Sequence, residues 1–221
     1  MLVKPDTRVR WHQLVATLAA FCMLALATAK AEDVAPLTPP VEALQLLLEG
    51  NQRYITNRAQ RPNQRPSDSP QHPLAIILSC SDSRVPPEFI FDQGVGNLFI
   101  VRVAGNTYDR LALQSIEYAV GHLGTTLIVV VGHDQCGAVT AALKAYPDPR
   151  AGPMLTNIYA AVREARGQPG DELSNAIDRN AVLIARKLAH EPELVEKVKS
   201  GQLAVQPARY VLKTGEVKLL K

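Results

Sequence analysis

The sequence predicts an α/β protein: a mainly parallel central sheet, about four parallel strands plus a C-terminal antiparallel strand, flanked by helices. Three observations carry this. Residues 74–78 (LAIIL), 98–103 (LFIVRV) and 127–131 (LIVVV) are apolar runs without alternation, as expected of strands covered on both faces. Stretches with apolar residues at helical spacing lie between them, the order of a parallel sheet with crossover helices. The chain closes with LAVQPARYVLKTGEVKLL, which reads as a strand, a turn at Thr214-Gly215 and a short final strand.

Taken in order, residues 1–31 stand apart. Lys4, Arg8 and Arg10 precede an uncharged apolar stretch over 14–29, and Ala29-Lys30-Ala31 forms a small-x-small cleavage pattern. That is the layout of a secretory signal peptide, and it is short for a membrane span of roughly 20 apolar residues. The expected location is periplasmic, with no stable membrane anchor after cleavage. Residues 32–40 (EDVAPLTPP) form a Pro-rich lead-in, and 41–221 a single domain. Within it, 41–55 reads as an amphipathic helix. Residues 57–73, with four prolines, read as loop. A helix follows Asp109 and ends near Gly121 and Gly124. Further helices are expected over 135–145, 155–165 and 173–190, with a short one over 192–199.

Charge narrows the partners. Without residues 1–31 the chain keeps 20 of its 24 basic and 20 of its 21 acidic residues. The basic excess therefore belongs to the leader, and nothing in the remaining balance points to nucleic acid. DQGVGN, residues 92–97, lacks the G-x-G-x-x-G context and precedes a strand, so it does not read as a dinucleotide loop.

Chemistry concentrates after two of the apolar runs. SCSDSRVPP (79–87) follows the first and GHDQCGAV (132–139) the third. Cys22 lies in the leader, leaving Cys80 and Cys136 in the domain. With His133, they stand just past the carboxyl ends of predicted strands, the edge where open α/β sheets build sites. Two thiolates and an imidazole suit zinc, and three protein ligands leave a fourth position open. A second reading stands beside this one. In an oxidising compartment the same two cysteines form a disulfide. A bridge across about 56 residues would stabilise a non-catalytic periplasmic binding protein by about 4 kcal/mol. A staple has no use for Asp82, Arg84 and His133 around it, although His133 alone also fits an ordinary loop histidine.

These motifs resemble the β-class carbonic anhydrases. The resemblance rests on Cys80-Ser81-Asp82-Ser83-Arg84 and His133-x-x-Cys136-Gly137, and extends through ALQLLLEGNQRY, PPEFIFDQGVGNLFIVRVAGN, SIEYAVGHLG and TGEV. It implies one Zn2+ per chain held by Cys80, His133 and Cys136. It further implies reversible hydration of CO2 to bicarbonate and a proton by zinc-bound hydroxide, with Asp82 and Arg84 as the dyad beside the open position. Gln93 and Gly137 would line the substrate pocket, with Val85 and Phe91 as apolar walls. The resemblance also implies a homodimer or homotetramer, and it admits relatives that hydrolyse CS2 or COS. Three places depart from the family pattern: Asn97 where Asp is frequent, Asp134 where Ser is common, and QPARYVL in place of a glycine-alanine-tyrosine strand entry. His72 and His122 are candidate proton shuttles only in that they titrate near neutrality.

Overall fold

A computed structural model describes residues 38–60 and 70–221. Residues 1–31, read from the sequence as a signal peptide, lie outside the described residues, as do positions 32–37 of the lead-in and 61–69 of the proline-rich loop. The strands are β1 (Ala75–Ser79), β2 (Leu98–Arg102), β3 (Leu127–His133), β4 (Ala204–Tyr210) and β5 (Val217–Leu219). The helices are α1 (Pro40–Ile55), α2 (Pro87–Ile90), α3 (Arg110–His122), α4 (Gly137–Ala145), α5 (Pro153–Thr156), α6 (Tyr159–Ala165), α7 (Glu172–Ala189) and α8 (Val195–Lys199). Sheet order is β2-β1-β3-β4-β5. The first four strands are parallel, and β5 runs antiparallel to β4. Among the described residues no helix is long and apolar enough to cross a membrane.

The unbroken apolarity of β1 and β3 follows from their central place. Every residue of both is buried, and successive side chains point to opposite faces. Ile76, Leu78, Ile128 and Val130 pack with Leu113 and Ile116 of α3 and Ile184 and Leu188 of α7. Ala75, Ile77, Leu127, Val129 and Val131 pack on the other face with Ala43 and Leu47 of α1. Each face thus takes alternate residues from one continuous run.

Local chemistry sets the helix ends. α1 begins at Pro40, one residue earlier than expected. Proline is well placed there because a first-turn N–H has no intrahelical partner. Asp109 and Asp171 cap α3 and α7, accepting from the amides of Ala112 and Ser174 at 2.9 and 2.8 Å. The helix expected over 155–165 divides into α5 and α6. At the break, the Thr156 hydroxyl donates back to the carbonyls of Gly152 and Pro153, an alternative to continued helix.

Pro207 sits inside β4, where a missing N–H would normally break a ladder. The Leu220 amide donates to the Pro207 carbonyl, and the reciprocal bond that Pro207 cannot make is supplied by Gln206. Its Nε2 donates to the Leu220 carbonyl at 3.0 Å. α1 is fastened to the sheet by its EGNQR segment. Asn51 Nδ2 donates to the carbonyls of Ile90 and Gly215, and its Oδ1 accepts from the Val217 amide. Arg53 Nε meets Asp92 Oδ2 at 2.6 Å. Phe89 is half exposed, while its two successors, Ile90 and Phe91, are buried.

Candidate metal centre

Parallel strands bring their carboxyl ends to one edge, and β1 and β3 are direct neighbours, with Ser79 opposite Val131. Cys80 follows β1 immediately. β3 runs two residues beyond its apolar run, so His133 is its last residue rather than part of the following loop. The helix expected from 135 starts at Gly137. Gln135 adopts a left-handed φ of 54°, and Cys136 is the extended cap residue at φ −62°, ψ 117°. A left-handed non-glycine residue costs on the order of 1–2 kcal/mol. Here the turn brings the Cys136 sulfur back to the strand end it has just left.

The outcome is a cluster in which one ligand atom each from Cys80, His133 and Cys136 lies within 4.8 Å of the others. All three residues are buried, at 5%, 0% and 1% exposure. The sulfurs stand 4.0 Å apart and both cysteines are free, so the bridge of the second sequence reading is not formed. A tetrahedral site with metal–sulfur bonds of about 2.3 Å places neighbouring sulfurs about 3.8 Å apart. The ring of His133 is set by its Nδ1, 2.8 Å from the Asp134 carbonyl oxygen. That leaves Nε2 buried without a hydrogen-bond partner, an arrangement that costs about 1–3 kcal/mol unless something occupies it. Two sulfurs and an orphaned imidazole nitrogen fit zinc by donor type, number and spacing.

The surroundings favour negative sulfur. The hydrogen bond with Cys136, together with His133 and the Gly105 amide at 3.3 Å, holds Cys80 well below the usual thiol range. The Cys80 sulfur and burial push Cys136 up in turn, against the amides of Val139 and Ala138 at the start of α4. A metal that takes both of them as thiolates displaces protons from the pair. Gly105 is needed at its position. Its φ is 71°, and a Cβ there would stand 2.8 Å from Ile158 Cδ1. Beside the cluster, Asp82 is gripped by Arg84: Nε to Oδ1 at 2.9 Å, Nη2 to Oδ2 at 2.8 Å, and the Arg84 amide to Oδ1 at 3.0 Å. The guanidinium bonds hold the Asp82 carboxyl far below the usual carboxylate range. Its Oδ2 stands 3.9 Å from His133 Nε2.

Two supporting residues escaped the sequence reading. Arg102 donates through Nε to the Cys80 carbonyl at 3.0 Å and through Nη2 to the Asp82 carbonyl at 2.5 Å, clamping the CSD loop. The available signal was a lone cation in the LFIVRV run. Asn180, buried in α7, donates to the Gly105 carbonyl at 2.8 Å and so orients the segment whose amide faces Cys80. Its signal was an amide on a helix face otherwise made of Ala176, Ile177, Ala181 and Ile184.

The remaining expected site residues are placed as follows. A Cβ on Gly137 would meet nothing within 4 Å, so space is open at the start of α4. Val85 and Phe91 are buried in the cluster beneath α1. Gln93 donates to the Phe91 carbonyl and accepts from Asn97. His72 precedes β1, and His122 ends α3 before β3, stacked on Tyr118. Both therefore lie toward the amino edge of the sheet, a strand length of about 17 Å from the cluster.

Fold and site together define an α/β enzyme with its chemistry at the carboxyl edge of a parallel sheet. A family model described as "Carbonic anhydrase" matches residues 75–217. The chain is 39% identical over 199 residues to Carbonic anhydrase 2 of Mycobacterium tuberculosis, covering 83% of this chain and 94% of that one. Carbonic anhydrase of Mycolicibacterium smegmatis is 47% identical over 115 residues, half of this chain and 56% of the relative. Among solved structures, the β-carbonic anhydrase CcaA superposes with a TM-score of 0.62 at 26% identity, covering 79% of this chain and 93% of that one. A tetrameric β-carbonic anhydrase of Sordaria macrospora shares the fold, with a TM-score of 0.59 at 23% identity over 95% and 96% of the two chains. The chain belongs to the β-class carbonic anhydrase family, and its activity class is that of a carbonic anhydrase.

Proposed function

We propose that Cys80, His133 and Cys136 hold one zinc ion per chain, and that CO2 is hydrated beside it with Asp82 as the hydrogen-bond acceptor that orients the attacking water. The observation that carries this is the buried, partnerless His133 Nε2 grouped with two free thiols. Zinc, when bound there, supplies the Lewis acidity that makes a nucleophile of water near neutral pH. The chain's own residues do the rest. Asp82 stays ionised because Arg84 occupies both of its oxygens, and an ionised carboxylate can only accept hydrogen bonds. It therefore orients an attacking water by accepting a hydrogen bond from it on a remaining lone pair. The same grip keeps the carboxylate from swinging into the ligand cluster. CO2 is uncharged, so apolar walls suit its recess. Val85 and Phe91 are the proposed contributors, with Gln93 and Gly137 at the rim.

Asp82→Asn tests the assignment. The variant keeps the shape of the side chain, so zinc content should match the unmodified protein. Stopped-flow CO2 hydration should fall about 100-fold, the scale of losing one preorganised hydrogen-bonding group at the reacting centre. Full activity with zinc bound would remove Asp82 from the mechanism.

We further propose an exported homodimer or homotetramer acting in the periplasm. The basic start and apolar stretch of residues 1–31 support export. Leu111, 73% exposed, and Val95, 62% exposed, offer apolar surface for a second copy, and the Sordaria relative is tetrameric by its description. Native mass spectrometry of protein from a periplasmic fraction checks both. The expected subunit lacks residues 1–31 and the assembly holds two or four copies. A full-length or monomeric species contradicts the corresponding half.

A further inference from the structure

We propose that Arg209 is a positioning residue for the metal site, acting through Asp134 on the ring of His133. The inference rests on zinc binding at the cluster proposed above. Arg209 Nε donates to Asp134 Oδ1 at 2.7 Å, and Nη2 lies 2.5 Å from the same oxygen. The guanidinium is completed from α7: Nη1 meets Asp178 at 3.2 and 3.3 Å, and Nη2 meets the Ser174 hydroxyl at 3.2 Å. The other Asp134 oxygen accepts from the Leu212 amide at 3.2 Å, and the Asp134 amide donates to the Tyr210 carbonyl. The Arg209 and Asp134 side chains are only 18% and 21% exposed. This is a charge-assisted pair largely withdrawn from water, not a surface ion pair.

The position of Asp134 explains what the pair does. The β3–β4 ladder ends at His133 opposite Tyr210, so Asp134 is the first residue past the sheet. Gln135, immediately after it, is left-handed. The carbonyl that receives His133 Nδ1 belongs to the peptide between these two residues, at the point where ladder support stops. The Asp134 carboxylate ties that peptide to β4 from its side chain. Holding the carbonyl holds the proton on Nδ1 and leaves Nε2 as the ligand, the usual way a residue behind a metal-bound histidine acts. The two sequence departures noted separately, Asp134 in the histidine motif and Arg209 in QPARYVL, are partners in one contact.

The test compares full-length zinc-loaded protein with Asp134→Ser, Arg209→Met and the double variant. Readouts are zinc transfer to excess chromogenic chelator and the thermal midpoint with and without zinc. Each single variant should release zinc about tenfold faster, the low end for a residue behind a ligand. The double variant should be no faster than the faster single one, because one contact is being removed twice. The zinc-induced rise in midpoint should shrink. A merely structural role would lower the metal-free and zinc-loaded midpoints equally and leave release unchanged, which overturns the proposal, as do single effects that multiply in the double variant. If Arg209→Met does not fold, Asp134→Ser alone decides by its release rate. Unmodified protein that takes up no zinc overturns the metal reading and this one with it; zinc uptake with unchanged release overturns this one alone.

Discussion

Replacing His133 with alanine, or Cys80 with serine, should strip the protein of zinc and lower kcat/KM for CO2 hydration by more than the roughly 100-fold that marks loss of a residue acting through a ligand. The reason is the sparseness of the donor set: among the described residues, one grouping of three His, Cys, Asp or Glu side chains has its ligand atoms close enough to hold an ion. Serine keeps the size of cysteine but stays protonated, and a neutral hydroxyl is a poor substitute for a thiolate on zinc. Alanine at 133 removes the only nitrogen and leaves two thiols 4.0 Å apart, free to approach and oxidise in an oxidising compartment. Elemental analysis of the purified variants and stopped-flow hydration assays check the outcome. A variant carrying one zinc per chain at near-normal rate would mean that the cluster is not the catalytic centre.

Gly50→Ala should destabilise the fold by about 3 kcal/mol or more. Helix propensity argues the opposite way, since alanine in a helix interior is favoured over glycine by about 1 kcal/mol. Packing decides the sign. A Cβ at position 50 would stand 1.8 Å from the Phe91 carbonyl oxygen and 2.8 Å from its carbon, with Gln93 Nε2 at 3.2 Å. The first two are backbone atoms and cannot swing aside. α1 would have to lift from the sheet, stretching the three Asn51 bonds and the Arg53–Asp92 pair that fasten it. Denaturant unfolding should show a lower midpoint with zinc bound, and a midpoint equal to or above the parent would refute the close-approach argument.

The two predictions differ in how much of their basis could be read before the structure. His133 and Cys80 were recognisable because sulfur and imidazole are scarce in this chain and stood after apolar runs. The burden on Gly50 was invisible: a glycine in LLLEGNQRY looks like a weak point in a helix until Phe91, 41 positions along the chain, is found against it. Boundaries behaved similarly. The end of β3 was placed two residues early because Gly132 and His133 are not apolar, yet both are buried strand residues paired with Arg209 and Tyr210. The start of α4 was placed two residues early because nothing about Gln135 announces a left-handed turn.

What the sequence determined by itself was the set of strands and the sheet edge at which Cys80, His133 and Cys136 gather. Apolar periodicity and side-chain chemistry are written in neighbouring residues, so they survive without coordinates. Only the tertiary structure decided that Gln135 turns Cys136 back to His133, which imidazole nitrogen is left free, and which distant groups steady the cluster. Asn180 reaches Gly105, and Arg209 reaches Asp134, each across 75 residues. Such contacts depend on strand order and on how the helices cross between strands, and no short-range pattern encodes either.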